Sequence, residues 1–323
     1  MKKGIRLLLF AVICSFLLTA CKKEKETSGD EIQEVVETES YTYGFSCLTM
    51  DNPYFIELEA SLRKNVEAQG NVLITKNAQS DADLQEQQIE ELIKEGIDAI
   101  FLAPVDWIKI EPSLDRLNEE GIKIINLDTQ VQAFDKVDAY VGSDNSNAGK
   151  ICGEDLLLRL PQGGKIIIVE CPNRNSINER IKGFEKAVAK QGFEVVARID
   201  AKGDLDVALP EVEAALKNNP DVVAIMCGND PTALGALVAA NSVGANSLII
   251  YGIDGSPEVK EEIAKDGSLI VATVAQSTDT IGQEAAAVAL QMMNEKKYKE
   301  VTYIDTYIIT KENISEYNID TWQ

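Results

Sequence analysis

Six polar side chains stand just past the ends of short apolar runs: Asn52, Asp128, Arg180, Asn229, Asp254 and Gln276. The runs before them read YGFSC, IKIINL, KIIIVE, DVVAIM, SLIIYGI and SLIVATVA. Such segments, rich in Ile and Val and bounded by turns, have the pattern of buried parallel strands. In open α/β sheets a ligand binds outside the carboxyl ends of the strands. Amide, carboxylate and guanidinium groups gathered there suit a neutral, polyhydroxylated molecule. Each residue also has a plainer role open to it. Asn52 precedes Pro53 and could cap a helix, and Asp254 in GIDGSP could form a turn. Asp128 could simply end its strand, and Arg180 could be a solvated helix charge.

The elements that must position these groups alternate along the chain. From Tyr41 onward each strand-like run is followed by a helical one. In NPYFIELEASLRKNVEAQG, Phe55, Leu58, Leu62 and Val66 form one helical stripe, closed by Gly70. DADLQEQQIEELIKEG turns Leu84, Ile89, Leu92 and Ile93 inward and ends at Gly96. IDAIFLAPVD and PDVVAIMCGND read as counterparts in the two halves, a weak internal repeat. Strand–helix alternation with short connections predicts parallel sheets covered by helices on both faces. The length of 323 residues is enough for two such lobes.

Composition narrows the chemistry. The chain contains no histidine, which removes Ser-His-Asp triads, Cys-His dyads and His-containing metal sites. The net charge is −22, and an acidic surface repels phosphate backbones, so nucleic acid is not an expected partner.

Lys2, Lys3 and Arg6 precede the apolar stretch LLLFAVICSFLLTA, which ends at Ala20. This is the pattern of an export signal over residues 1–20. LTAC at 18–21 resembles a lipobox, which makes Cys21 the expected lipidation site. Residues 21–40, charged and without aromatics before Tyr41, read as a tether to the membrane. The body of the protein is therefore expected outside the cytoplasm. Cys47, Cys152, Cys171 and Cys227 have no metal or disulfide spacing and are expected as buried free thiols, with a Cys171–Cys227 bridge left open.

Seven segments carry a family resemblance: TMDNPYF, NLDTQ, GSDN, NERIKGF, GNDPTALGA, YGIDGSP and VAQSTDTIG, in that order from Thr49 to Gly282. Together they resemble the ribose-type periplasmic sugar-binding proteins, the solute receptors of ABC importers. The resemblance implies two doubly wound parallel-sheet α/β lobes joined by a three-segment hinge, the type I periplasmic binding protein fold. It places residues 41–143 with 277–305 in an N-terminal lobe and 144–276 with 306–323 in a C-terminal lobe. It implies a sugar or polyol held between the lobes by Asn52 and Asp128 on one side, Arg180, Asn229 and Asp254 on the other, and Gln276 from the hinge. Tyr54 and Phe55 would cover the C–H face of the ring, although Phe55 also fits the core stripe. A permease is the implied partner, the chain is expected to be monomeric, and no cofactor or metal is expected.

Three positions depart from the ribose pattern. Leu48 stands where a small hydroxyl residue is usual, Thr129 where an arginine follows the aspartate, and Gly203 where an aromatic faces the sugar. A ligand larger than ribose, or one with another ring substituent, is the expectation, and Trp107 could supply an aromatic or pack elsewhere. Two other functions remain open at this stage. One is a receptor that reports sugar to a membrane sensor; the other is a glycoside hydrolase using Asp128 and Asp254 as a carboxylate pair.

Overall fold

The structure is a computed structural model that describes residues 40–322, so the expected export signal, Cys21 and the tether lie outside the described residues. The elements follow the alternation read from the sequence. The first part runs β1 (Thr42–Cys47), α1 (Pro53–Ala68), β2 (Val72–Asn77), α2 (Ala82–Glu95), β3 (Ala99–Leu102), α3 (Glu111–Glu119), β4 (Lys123–Leu127) and β5 (Ala139–Ser143). The second runs α4 (Asn145–Arg159), β6 (Gly164–Glu170), α5 (Asn175–Val188), β7 (Phe193–Asp200), α6 (Leu205–Asn218), β8 (Val222–Cys227), α7 (Asp230–Val243), β9 (Ile249–Asp254), α8 (Pro257–Ala264) and β10 (Ile270–Ala275). Then come α9 (Thr278–Met293), β11 (Val301–Ile304) and β12 (Tyr307–Thr310).

These strands form two six-stranded sheets, ordered β11-β5-β4-β3-β1-β2 and β12-β10-β9-β8-β6-β7. The two orders are topologically equivalent. β3 and β8, which carry the IDAIFLAPVD and PDVVAIMCGND repeat, occupy the same place in each. The first sheet is parallel throughout, with Phe45 of β1 opposite Thr75 of β2 and Phe101 of β3. The second has one antiparallel edge, β12, whose Tyr307 pairs with Ala275 at the carboxyl end of β10. That strand begins where the chain re-enters the second sheet beside the end of β10, so it must run back along it.

Apolar side chains fill both faces of each sheet. Phe55, Leu58, Leu62 and Val66 of α1 pack with Phe45, Phe101 and Ile281 on one face of the first sheet, and Ile89, Leu92, Leu114 and Ile124 fill the other. α2 departs from its predicted stripe. Leu84 and Ile93 are only half-buried, and Gln85 takes a fully buried place instead. Its Nε2 donates to Ser46 Oγ and the Ala103 carbonyl at 3.0 Å, while Oε1 accepts from Val105 N–H at 2.8 Å. A polar residue is stable there because its amide is bonded at both ends. All four cysteines of the described residues are buried and free, so no Cys171–Cys227 bridge forms.

The chain passes between the sheets three times: from β5 to α4, from β10 to α9, and from β11 to β12. The crossings lie side by side: Asp144 N–H of the first donates to the Ile304 carbonyl of the third at 3.0 Å, and Tyr307, just after the third, pairs with Ala275, just before the second. This bundle of short segments is the hinge between the lobes.

Candidate ligand-binding site

Parallel strands present their carboxyl ends along one edge of a sheet, and the helix that follows each strand begins there. Asn52 caps α1 through Oδ1, which accepts from Tyr54 N–H at 3.0 Å. Asn229 caps α7 with Oδ1 and donates Nδ2 to the Gly203 carbonyl at 2.9 Å. The capping roles are therefore real, and they coexist with a place at the site. All eight residues singled out from the sequence, Asn52, Tyr54, Phe55, Asp128, Arg180, Asn229, Asp254 and Gln276, line a single cavity between the two sheets.

Arg180 is not a solvated charge. It is 3 % exposed, and α4 and α5 approach so closely that a Cβ on Gly149 would stand 1.7 Å from the Arg180 carbonyl oxygen. That contact brings Arg180 to the hinge. Nε donates to Asn145 Oδ1 at 2.7 Å, one terminal nitrogen donates to the Gly228 carbonyl at 2.8 Å, and the same nitrogen lies 3.5 Å from Asp254 Oδ1. Gln276 Nε2 donates to Asp254 Oδ1 at 2.7 Å, and Asp230 N–H donates to Oδ2 at 3.2 Å. Burial pushes the Asp254 carboxyl up to about 7, against the pull of Arg180 and with the Asp230 charge adding to it. The Arg180 contact is long and shared among three acceptors, so desolvation wins.

Asp128 is held in a left-handed conformation, φ 55°, which Asp tolerates better than most residues. Its Oδ2 accepts from the Thr129 hydroxyl at 2.9 Å, and its carbonyl accepts from Tyr140 Oη at 2.8 Å. Burial raises this carboxyl too, opposed by Arg180, Thr129, Arg174 and Ser176. Phe55 serves both the core of the first lobe and the cavity wall. Tyr54 is 2 % exposed, packs edge-on against Phe55 and Trp322, and has a buried hydroxyl without a hydrogen-bond partner among the described residues.

The lobes are in contact around the cavity. Thr129 Oγ1 and Ser176 Oγ lie 2.7 Å apart across the cleft. Trp107 N–H donates to the Asn173 carbonyl at 3.2 Å, and Asn173 Nδ2 returns a bond of 3.2 Å to the Val105 carbonyl. Trp107 thus joins the lobes through its backbone and does not line the cavity. In this closed arrangement the cavity holds about 20 Å³, little more than one water molecule needs. A ligand larger than that can therefore enter only with the lobes apart. A neighbouring cavity of about 300 Å³ shares Asn52 and Arg174 with the first and is edged by the N-termini of α1, α6, α7 and α8.

A family model described as periplasmic binding protein domain matches residues 43–297. The chain belongs to that family. This periplasmic binding protein is 33 % identical over 307 residues to the ribose import binding protein RbsB of Bacillus subtilis, covering 93 % of this chain and 96 % of the relative. An ABC transporter solute binding protein from Mycobacterium smegmatis with bound glycerol superposes with a TM-score of 0.81 at 28 % identity, over 86 % of this chain and 96 % of that one. One from Actinobacillus succinogenes with bound D-allose gives 0.79 at 25 % identity, over 86 % and 100 %. Membership makes the chain a binding protein and not an enzyme. The hydrolase reading of Asp128 and Asp254 falls, and both oxygens of Asp254 are already engaged in holding the site together.

Sequence reasoning missed Arg174, Ser176 and Ile177, which also line the cavity, and Asp230, whose N–H holds the Asp254 carboxylate. Asp230 is fully buried, accepting from Ser256 N–H at 2.8 Å and Thr273 Oγ1 at 2.7 Å. The signal for Arg174 was present, since it stands nearer than Arg180 to the end of the KIIIVE strand.

Proposed function

We propose that this periplasmic binding protein captures a monosaccharide or related polyol between its lobes and delivers it to an ABC-type importer. The observation that carries the reading is the convergence of carboxylates, amides and two guanidinium groups on one buried cavity between hinged lobes. A sugar hydroxyl both donates and accepts, so Asp takes its protons while Arg, Asn and Gln supply donors. Ligand contacts to both lobes favour the closed state. The ribose, allose and glycerol ligands named for its relatives and structural neighbours support a small polyol of this class.

The same reading takes residues 41–143 with 277–305 and 144–276 with 306–323 as the two lobes, acting as a monomer outside the cytoplasm. The LTAC segment supports a lipid anchor on Cys21.

A thermal-shift screen of pentoses, hexoses, polyols and nucleosides tests the reading. Ligand at 100 times its dissociation constant adds ~2.7 kcal/mol of stability, an easily measured rise in midpoint. With the ligand in hand, Asp128→Ala, Arg180→Ala and Asp254→Ala are each expected to weaken binding about tenfold or more. No shift with any sugar or polyol would overturn the function, and unchanged affinity in all three variants would overturn the site.

A further inference from the structure

Arg174 is 7 % exposed, yet its buried Nε has no hydrogen-bond partner among the described residues. It is the N-cap residue of α5 and lines both the cavity of about 20 Å³ and the neighbouring one of about 300 Å³. The guanidinium fills the space that a side chain at position 203 would otherwise take. A Cβ on Gly203 would stand 2.6 Å from the Arg174 terminal nitrogen, and the backbone there has a φ of +71°, which favours glycine. Arg174 is thus a cation supplied from the second lobe to the cavity that Asp128 also lines, close enough to pull on that carboxyl.

A buried guanidinium N–H without an acceptor is costly, and it persists most readily where a ligand supplies one. The acceptor it awaits is neutral. The wider cavity also carries Asp51, Asp204 and Glu258 on its exposed rim, while its other cation, Lys202, is paired with Asp200. A carboxylate or phosphate arm would meet those three acids, whereas a hydroxyl can accept from Arg174 and donate to a carboxylate. With the lobes far enough apart to seat a ring among the eight residues singled out from the sequence, Arg174, which lines both cavities, borders the side that faces the wide one, so an exocyclic arm pointing that way reaches the guanidinium.

We propose that Arg174 is a ligand-contacting, specificity-determining residue that donates to the exocyclic oxygen of a neutral sugar, selecting a hexose over the pentose that lacks its hydroxymethyl arm. This rests on the sugar-binding reading above. Calorimetry on the full chain with three matched pairs tests it: D-allose and D-ribose, D-galactose and L-arabinose, D-glucose and D-xylose. The expected result is a preference of about tenfold or more for the hexose in at least one pair, which Arg174→Met reduces to about threefold or less. The ligand-free unfolding midpoint checks that the variant is folded, and Arg174→Gln gives the same readout if the methionine variant is not. An equal loss on both members of the pair, no loss on either, or a wild-type preference for the pentose overturns the inference while leaving the sugar-binding reading intact. Absence of binding to all six sugars overturns this inference, and the sugar-binding reading falls with it only if the wider screen of sugars and polyols also gives no shift.

Discussion

Gln276 Nε2 donates to Asp254 Oδ1 at 2.7 Å, and the Gln276 backbone N–H donates to the Asp254 carbonyl at 3.0 Å. A residue of the second crossing between the lobes thus holds a carboxylate of the site by side chain and main chain together. Asn145, just after the first crossing, accepts from Arg180 Nε through its side-chain oxygen at 2.7 Å. The buried charged pair is thus held by two amides that stand at the ends of crossings between the lobes.

The pH dependence of stability follows from the buried carboxyls. Burial raises Asp254 to about 7, and raises Asp128 and Asp230 as well. An unfolded Asp titrates near about 3.9. Between those values the folded chain keeps a proton that the unfolded chain has released. Ligand-free stability contributed by Asp254 therefore falls as pH rises from about 4 to about 7, by up to about 1.4 kcal/mol per pH unit. Asp254→Asn removes this contribution. Urea unfolding at about pH 5 and about pH 7.5 should show a smaller loss in the variant than in the wild type. Equal losses would mean that Asp254 is not the titrating group.

Thr129 and Ser176 report on closure. Their hydroxyls meet at 2.7 Å across the cleft, and Thr129 also bonds Asp128 within its own lobe. Ser176→Ala removes the bond between lobes and leaves the bond to Asp128. A buried neutral hydrogen bond contributes about 0.5–1.5 kcal/mol, so affinity should fall about two- to tenfold. Small-angle scattering of the ligand-free variant should give a larger radius of gyration. Unchanged affinity together with an unchanged radius would remove the pair from the closing mechanism.

Lys260 anchors the C-terminal segment. It is fully buried on α8, where Nζ donates to the carbonyls of Asn318 and Thr321. This leads the chain to Trp322, which packs edge-on against Tyr54 of α1 with ring centroids 6.1 Å apart. The segment therefore runs from the second lobe onto the first beside the site. Lys260→Met withdraws the donor from both carbonyls and should cost about 1–3 kcal/mol. In a Trp107→Phe background, Trp322 emission should shift to the red. A stability change within about 0.5 kcal/mol, with emission unmoved, would deny the anchor.

The sequence alone determined the strand–helix alternation, the core stripe of α1 and the polar residues at the strand ends. These are local properties. Apolar period and turn chemistry act over a few residues, and parallel strands deliver their ends to one edge of a sheet whatever the rest of the chain does. The same locality explains the failures. Gln85 is buried because Ser46, Ala103 and Val105 happen to surround it, which no helical period encodes. Trp107 carried an aromatic signal, but the loop around it turns toward Asn173 and away from the cavity. Only the tertiary structure decided that Arg180 is buried against the hinge, that Thr129 meets Ser176 across 47 residues of sequence, and that Arg174 fills the space above Gly203. Those relations depend on how closely two lobes and two helices approach one another. That distance is set by packing summed over the whole fold, not by any segment within it.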